Sequence, residues 1–130
     1  MVFNKKSESP LLHFIMSMFV AVIGLLIYPM YQFAIQAGPN SSLGYRTSRS
    51  RSSIYAWEFS QQLAAHYSLI ASMILIIAVL AASAFLFFRG IRSERAWRGL
   101  SYGTFAAWLT GVIVQIVLVE RQLAAVLALL

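Results

Sequence analysis

Residues 11–35 read LLHFIMSMFVAVIGLLIYPMYQFAI, twenty-five consecutive positions without a formal charge. Only His13, Ser17, Gly24, Pro29 and Gln32 interrupt a run of Leu, Ile, Phe, Met, Val and Ala. As a helix the stretch would reach ~37 Å, enough for a ~30 Å hydrocarbon core with some tilt. Pro29 near its far end predicts a kink, with Tyr28 and Tyr31 at head-group level. The sequence Ala37-Gly38-Pro39-Asn40 then stops the helix.

Two further runs follow the same logic. No charge falls between Glu58 and Arg89, which places a second span from about Ala65 to Phe88. Gly99 to Val119 is uncharged over 21 residues, or ~32 Å of helix. The expectation is an all-α integral membrane protein with three transmembrane helices near 11–36, 64–90 and 97–120. Residues 1–130 would then form a single three-helix membrane domain. Leu123 to Leu130 is too short to cross a bilayer and reads as a continuing helical turn or an interfacial tail.

Composition supports lipid as the solvent. The chain of 130 residues is 60% hydrophobic and only 11% charged, whereas soluble domains are ~45–50% apolar. A water-soluble body this small has too much surface for its volume to hide that much apolar area. The first run is also too long for a signal-peptide core of ~7–15 residues and has no Ala-x-Ala site after it, so a retained span is expected. There is no cysteine, which excludes disulfides, thiolate metal sites and a cysteine nucleophile. The net charge of +6 lies between apolar runs, where it would meet anionic head groups rather than nucleic acid.

Basic residues in the short connections bear on orientation. Lys5, Lys6, Arg89, Arg92, Arg95 and Arg98 fall on one side, and Arg46, Arg49, Arg51 and Arg121 on the other. The balance leans towards a cytoplasmic N-terminus. In the third span Gly99, Gly103, Ala107 and Gly111 recur every four residues, and Gln115 continues the row. Small residues at this spacing let helix backbones approach closely in lipid. Two uses fit: packing among the chain's own spans, or a homo-oligomer seam.

Residues 38–64, GPNSSLGYRTSRSRSSIYAWEFSQQLA, carry most of the information outside the spans. Gly38, Pro39, Asn40 and Gly44 signal turns. Ser52 or Ser53 can cap a short amphipathic interfacial helix before the second span, with Ile54 and Trp57 on one face. Tyr55 and Trp57 would anchor that helix at the interface. Gly44 permits a backbone geometry that other residues resist. Arg46 offers a rigid fork of donors for a carboxylate, a phosphate or free carbonyls, and Thr47 can cap the next turn. Arg46 could tie the loop to Glu58 or Glu120, bind a ligand anion or peptide terminus, or hold a lipid phosphate.

The spacing Pro39-Asn40, three residues, Gly44-x-Arg46-Thr47, Ser50 and then Trp57 resembles the signature of the SdpI family of membrane proteins. Gln61, Ala64 and Ala65 follow where that family has an Asn and small residues leading into a hydrophobic span. Ser48 stands where the family usually has Pro, and Gln61 where Asn is common. The three-span layout is similar to the family's common unit. The resemblance implies a non-enzymatic protein of the cell membrane that gives immunity to, or senses, a membrane-active peptide toxin through the 39–57 loop. It also implies a peptide toxin or a regulator protein as partner. An accessory subunit of a larger membrane complex and a small oligomeric transporter are the alternatives.

The remaining polar residues point to no catalysis. His13 and His66 stand without a carboxylate or thiol cluster, so no metal site is expected. Arg89, Arg92, Arg95 and Arg98 read as a topology-setting charge cluster or as a contact for anionic lipid. No Ser/His/Asp set, paired carboxylates within a span or phosphate-cradling glycine loop is present, and no cofactor is expected.

Overall fold

In the computed structural model the backbone is described from Lys5 and the side chains from Pro10 onward. The side chains of Lys5 and Lys6, counted above for orientation, lie outside the described residues. Three helices make up the described chain: α1 (Lys5–Ala37), α2 (Ile54–Phe88) and α3 (Glu94–Ala128). Each is long and apolar enough to cross a membrane. The protein is a multi-pass, all-helical membrane protein.

The helix ends follow from local chemistry. α1 runs through Pro29 and stops at Gly38, whose φ of 84° suits a residue without a Cβ. The Gly38 N–H donates to Ala34 O at 3.1 Å, an αL cap. α2 starts where Ser53 Oγ accepts the Ala56 N–H at 3.0 Å. It ends in a Schellman turn: Gly90, with φ 68°, donates to Phe87 O at 3.0 Å, and Ile91 donates to Leu86 O at 2.9 Å. α3 opens after Ser93 with Glu94 in its first turn, a favourable charge at the positive end of the helix.

Two expectations need correction. There is no separate interfacial helix before the second span, because residues 54–64 are the opening turns of α2 itself. No Gly or Pro falls between Ile54 and Phe88 to break it. Trp57 is not an interfacial anchor either. It is fully buried, as is nearly all of Tyr31, because each finds a polar partner inside the protein. Tyr55 stays about half exposed. The C-terminal tail continues α3 as helix to Ala128.

Large side chains face outward and small ones inward, the inverse of a soluble core. Phe19, Ile77 and Ile113 are more than half exposed, while Ala21, Ala34, Ala56, Ala64 and Ala65 are fully buried. Lipid is as apolar as Leu, so close packing of small residues holds such helices together. The chain divides into two compact units. The loop unit comprises Gly24–Ala71 and Gly111–Leu130, and includes a cluster of Tyr31, Tyr45, Ala64, Ala65 and Val119. The turn unit comprises the described residues up to Ile23 with Ser72–Thr110. There Ser72 Oγ donates to Ala21 O, and His13 Nδ1 lies 2.7 Å from Ser101 Oγ.

Candidate functional site

The connection between α1 and α2 is the irregular part of the loop unit, and its buried polar groups are met by side chains. Pro39 and Asn40 form the corner of a β-turn closed by the Ser41 N–H on Gly38 O at 2.9 Å. Leu43 N–H donates to Ser41 Oγ at 3.1 Å. The chain then reaches Gly44, with φ 104°. A Cβ here would lie 2.5 Å from Gln61 Oε1 and 2.7 Å from Ala34 Cβ. Gly44 is therefore required twice, for its backbone angle and for the closeness of its neighbours.

That closeness lets Gln61 hold the next residue by its backbone. Its Oε1 accepts the Tyr45 N–H at 2.7 Å, and its Nε2 donates to Tyr45 O at 2.7 Å. The amide does for Tyr45 what a neighbouring strand would do, and Gln61 is fully buried in doing it. Trp57 secures the same region from α2: its indole N–H donates to Ala34 O at 2.7 Å, sharing that carbonyl with Gly38.

Thr47 and Ser50 close the following turn reciprocally. The Thr47 N–H donates to Ser50 Oγ at 2.8 Å, and the Ser50 N–H to Thr47 Oγ1 at 3.1 Å. The Ser50 hydroxyl proton is shared between Thr47 O at 2.9 Å and Tyr45 O at 3.1 Å.

Tyr45 joins the loop to α3. Its hydroxyl donates to Glu120 Oε1 at 2.8 Å, with Ile116 O at 3.4 Å. Burial, and after it the hydrogen bond to Glu120, pushes the phenol well above its usual range, so it remains a donor. Arg49 Nη1 meets the other oxygen, Glu120 Oε2, at 3.0 Å. Beside this set, Gln115 donates to Ala64 O at 3.2 Å and to Tyr31 Oη at 3.4 Å, and accepts from Ser68 Oγ at 3.2 Å. Tyr67 and Gln122 are also hydrogen-bonded.

The structure therefore brings Gly44, Thr47, Trp57 and Gln61 into one clamp, with Pro39 and Asn40 at its entry turn. Arg46 departs from expectation. It pairs with neither Glu58 nor Glu120 and is exposed. Burial alternates from Tyr45 inward to Arg46 outward, and Gln61 fixes that alternation by holding the Tyr45 backbone. Arg49, not Arg46, takes the Glu120 carboxylate. Spacing alone does not mark Tyr45, Arg49 and Glu120 as a set. The available signal was Glu120 itself, an acid closing a long apolar run and so in need of a partner.

The described residues leave most of the small-residue row of α3 uncovered. Gly99, Gly103 and Ala107 are exposed, and a Cβ at Gly99, Gly103 or Gly111 would meet nothing within 4 Å. His66 is exposed. Among the described residues no group of three His, Cys, Asp or Glu side chains gathers in a way that could hold a metal ion.

These features define a small multi-pass membrane protein with a side-chain-clamped loop between its first two helices. The sequence profile of the SdpI/YfhL protein family matches residues 36–129, from the end of α1 almost to the C-terminus. The chain belongs to the SdpI/YfhL family. No curated protein and no solved structure matches it.

Proposed function

We propose that this chain is a non-enzymatic binding protein of the cell membrane, giving immunity to or sensing a membrane-active peptide toxin through the 39–57 loop. The observation that carries the reading is the contrast at residues 45 and 46. The Tyr45 backbone is fastened at both N–H and C=O, while the adjacent Arg46 guanidinium is exposed and without an ion pair among the described residues. A planar fork on a fixed backbone suits a carboxylate, such as a peptide C-terminus or an acidic side chain, because its paired donors match the two oxygens and little backbone entropy remains to be lost on binding. Family membership supports the same role.

A sensitive host expressing the chain and challenged with a sporulation-delaying-type toxin tests this. Arg46→Ala should accumulate like the wild type and lose protection, since no hydrogen bond or ion pair of the Arg46 side chain among the described residues is removed. Full protection by Arg46→Ala would reject the assignment. One observation favours a second reading, an accessory subunit or a homo-oligomer: the exposed Gly99, Gly103 and Ala107 face would suit a neighbouring helix. Gly103→Leu should then abolish a cross-linked higher-mass species and leave the 14.5 kDa chain. A small transporter draws less support, because Gln115 and Ser68 are already hydrogen-bonded to one another.

A further inference from the structure

The arginines after α2 are not used by the loop. Arg89 lies over the Phe85 ring at 5.6 Å and Arg98 pairs with Glu94 at 2.7 Å. Arg92 and Arg95 are exposed and make no ion pair among the described residues. Arg92 also lines a groove of about 640 Å³ within the turn unit. Its walls are apolar and come from all three helices, with Phe14, Leu80, Phe87 and Trp97 among them.

Among the described residues the groove has one further polar side chain able to bond a ligand. Ser83 is 7% exposed, and its Oγ has no hydrogen-bond partner. Hydroxyls on membrane helices ordinarily turn back to the carbonyl four residues earlier. Thr104 and Thr110 do so, to Leu100 O at 2.7 Å and Ala106 O at 2.8 Å. Ser83 does not, and it lines the groove. The indole N–H of Trp97 is already given to Ile91 O at 2.9 Å.

Apolar walls, one buried hydroxyl and a guanidinium without an ion pair among the described residues together describe a particular amphiphile. We propose that the groove holds one phospholipid with an anionic head group. An acyl chain lies against Phe14, Leu80 and Phe87, Ser83 donates to the glycerol-ester carbonyl, and Arg92 meets the phosphate. Ser83 stands five residues before the end of α2, or ~7.5 Å deeper along the helix. An ester likewise lies deeper in a leaflet than its phosphate. Arg92, which makes no ion pair among the described residues, favours a net negative head group over a zwitterionic one.

The test uses the full chain purified in detergent and native mass spectrometry, titrated with phosphatidylglycerol or with phosphatidylcholine of the same acyl chains. Phosphatidylglycerol should be retained about fivefold more tightly, the preference that one arginine near a head group confers. Arg92→Gln should erase that preference. Ala84→Phe, at an exposed position lining the groove, should weaken retention of both lipids. Arg46→Gln should change neither. Equal retention of the two lipids by the wild type, or a preference that survives Arg92→Gln, would overturn the proposal. So would lipid binding untouched by Ala84→Phe, or glycerol phosphate binding as tightly as the whole lipid.

Discussion

The loop unit and the turn unit solve the same problem, joining two membrane helices, with different chemistry. In the turn unit the connection from Arg89 to Ser93 is short, and the backbone closes it through the Schellman turn at Gly90. One side chain, the Trp97 indole on Ile91 O, assists it, and two buried hydroxyls of that unit, Ser17 and Ser83, have no partner. In the loop unit sixteen residues separate Ala37 from Ile54. Several of their N–H and C=O groups are met by the side chains of Gln61, Ser50 and Thr47, while Trp57 gives a second donor to Ala34 O at the end of α1. Side-chain polarity is thus concentrated where the backbone is irregular, as expected when an unpaired buried group is expensive.

Two glycine substitutions test that contrast most severely. Gly44→Ala should cost about 3–5 kcal/mol, combining an unfavourable φ with overpacking against Gln61 and Ala34. Gly90→Ala, where a Cβ would meet nothing within 4 Å, should cost only ~1–2 kcal/mol for its left-handed φ. Thermal unfolding of both variants in detergent checks this. Equal losses would mean the crowding at Gly44 has no energetic consequence.

Gln61→Leu keeps the volume and removes the clamp. Tyr45 would lose partners for both its N–H and its C=O in a buried setting, a loss of about 2–4 kcal/mol. Gln61→Glu separates the halves, since a carboxylate can still accept from Tyr45 N–H but cannot donate to Tyr45 O. It should be less stable than the wild type at neutral pH and recover partly at low pH, where the protonated acid regains a donor.

The contacts to Glu120 should matter less. Tyr45→Phe removes one hydrogen bond to a carboxylate, about 1.5–2 kcal/mol. It should also alter the alkaline limb. The folded phenol holds its proton above the usual 10.0, so its contribution is complete below that pH and is lost as pH rises through the folded value. Wild type should therefore lose more stability above pH 10 than Tyr45→Phe does. Arg49→Ala breaks a pair whose side chains are 48% and 25% exposed, and should cost at most ~1 kcal/mol.

Much of the fold was legible because lipid imposes a simple rule: long uncharged runs must be helical. Gly38, Pro39 and Ser53 marked helix ends through local cap and turn chemistry that a neighbour-by-neighbour reading can see. The site was less legible. Nothing local says that Gln61, seventeen residues on from Gly44, will grip Tyr45, since only tertiary closeness creates that bond. Trp57 misled for a related reason. Its indole suits an interface as well as it suits a buried carbonyl, and the deciding partner, Ala34 O, lies on another helix. The alternation that turns Arg46 outward and leaves Glu120 to Arg49 depends on the same clamp.

The smallest expected effect sharpens the comparison from the other side. Ser50→Ala in the loop unit removes a hydroxyl that accepts from Thr47 and donates within the turn. It leaves the part-buried Thr47 N–H without that partner, so a loss of about 1–2 kcal/mol is expected. Ser83→Ala in the turn unit removes a hydroxyl that bonds to nothing in the protein. Deleting an unsatisfied buried polar group relieves its desolvation and leaves a cavity of a single oxygen atom. The two effects oppose each other and should leave stability within about 0.5 kcal/mol of wild type. In lipid-free detergent Ser83→Ala should therefore match or slightly exceed the wild-type melting temperature. With phosphatidylglycerol added, the wild type should gain more than the variant, because binding stabilises the state that holds the ligand. A clear loss on Ser83→Ala without lipid would show that the hydroxyl is satisfied within the protein. The two units would then handle their buried polar groups alike.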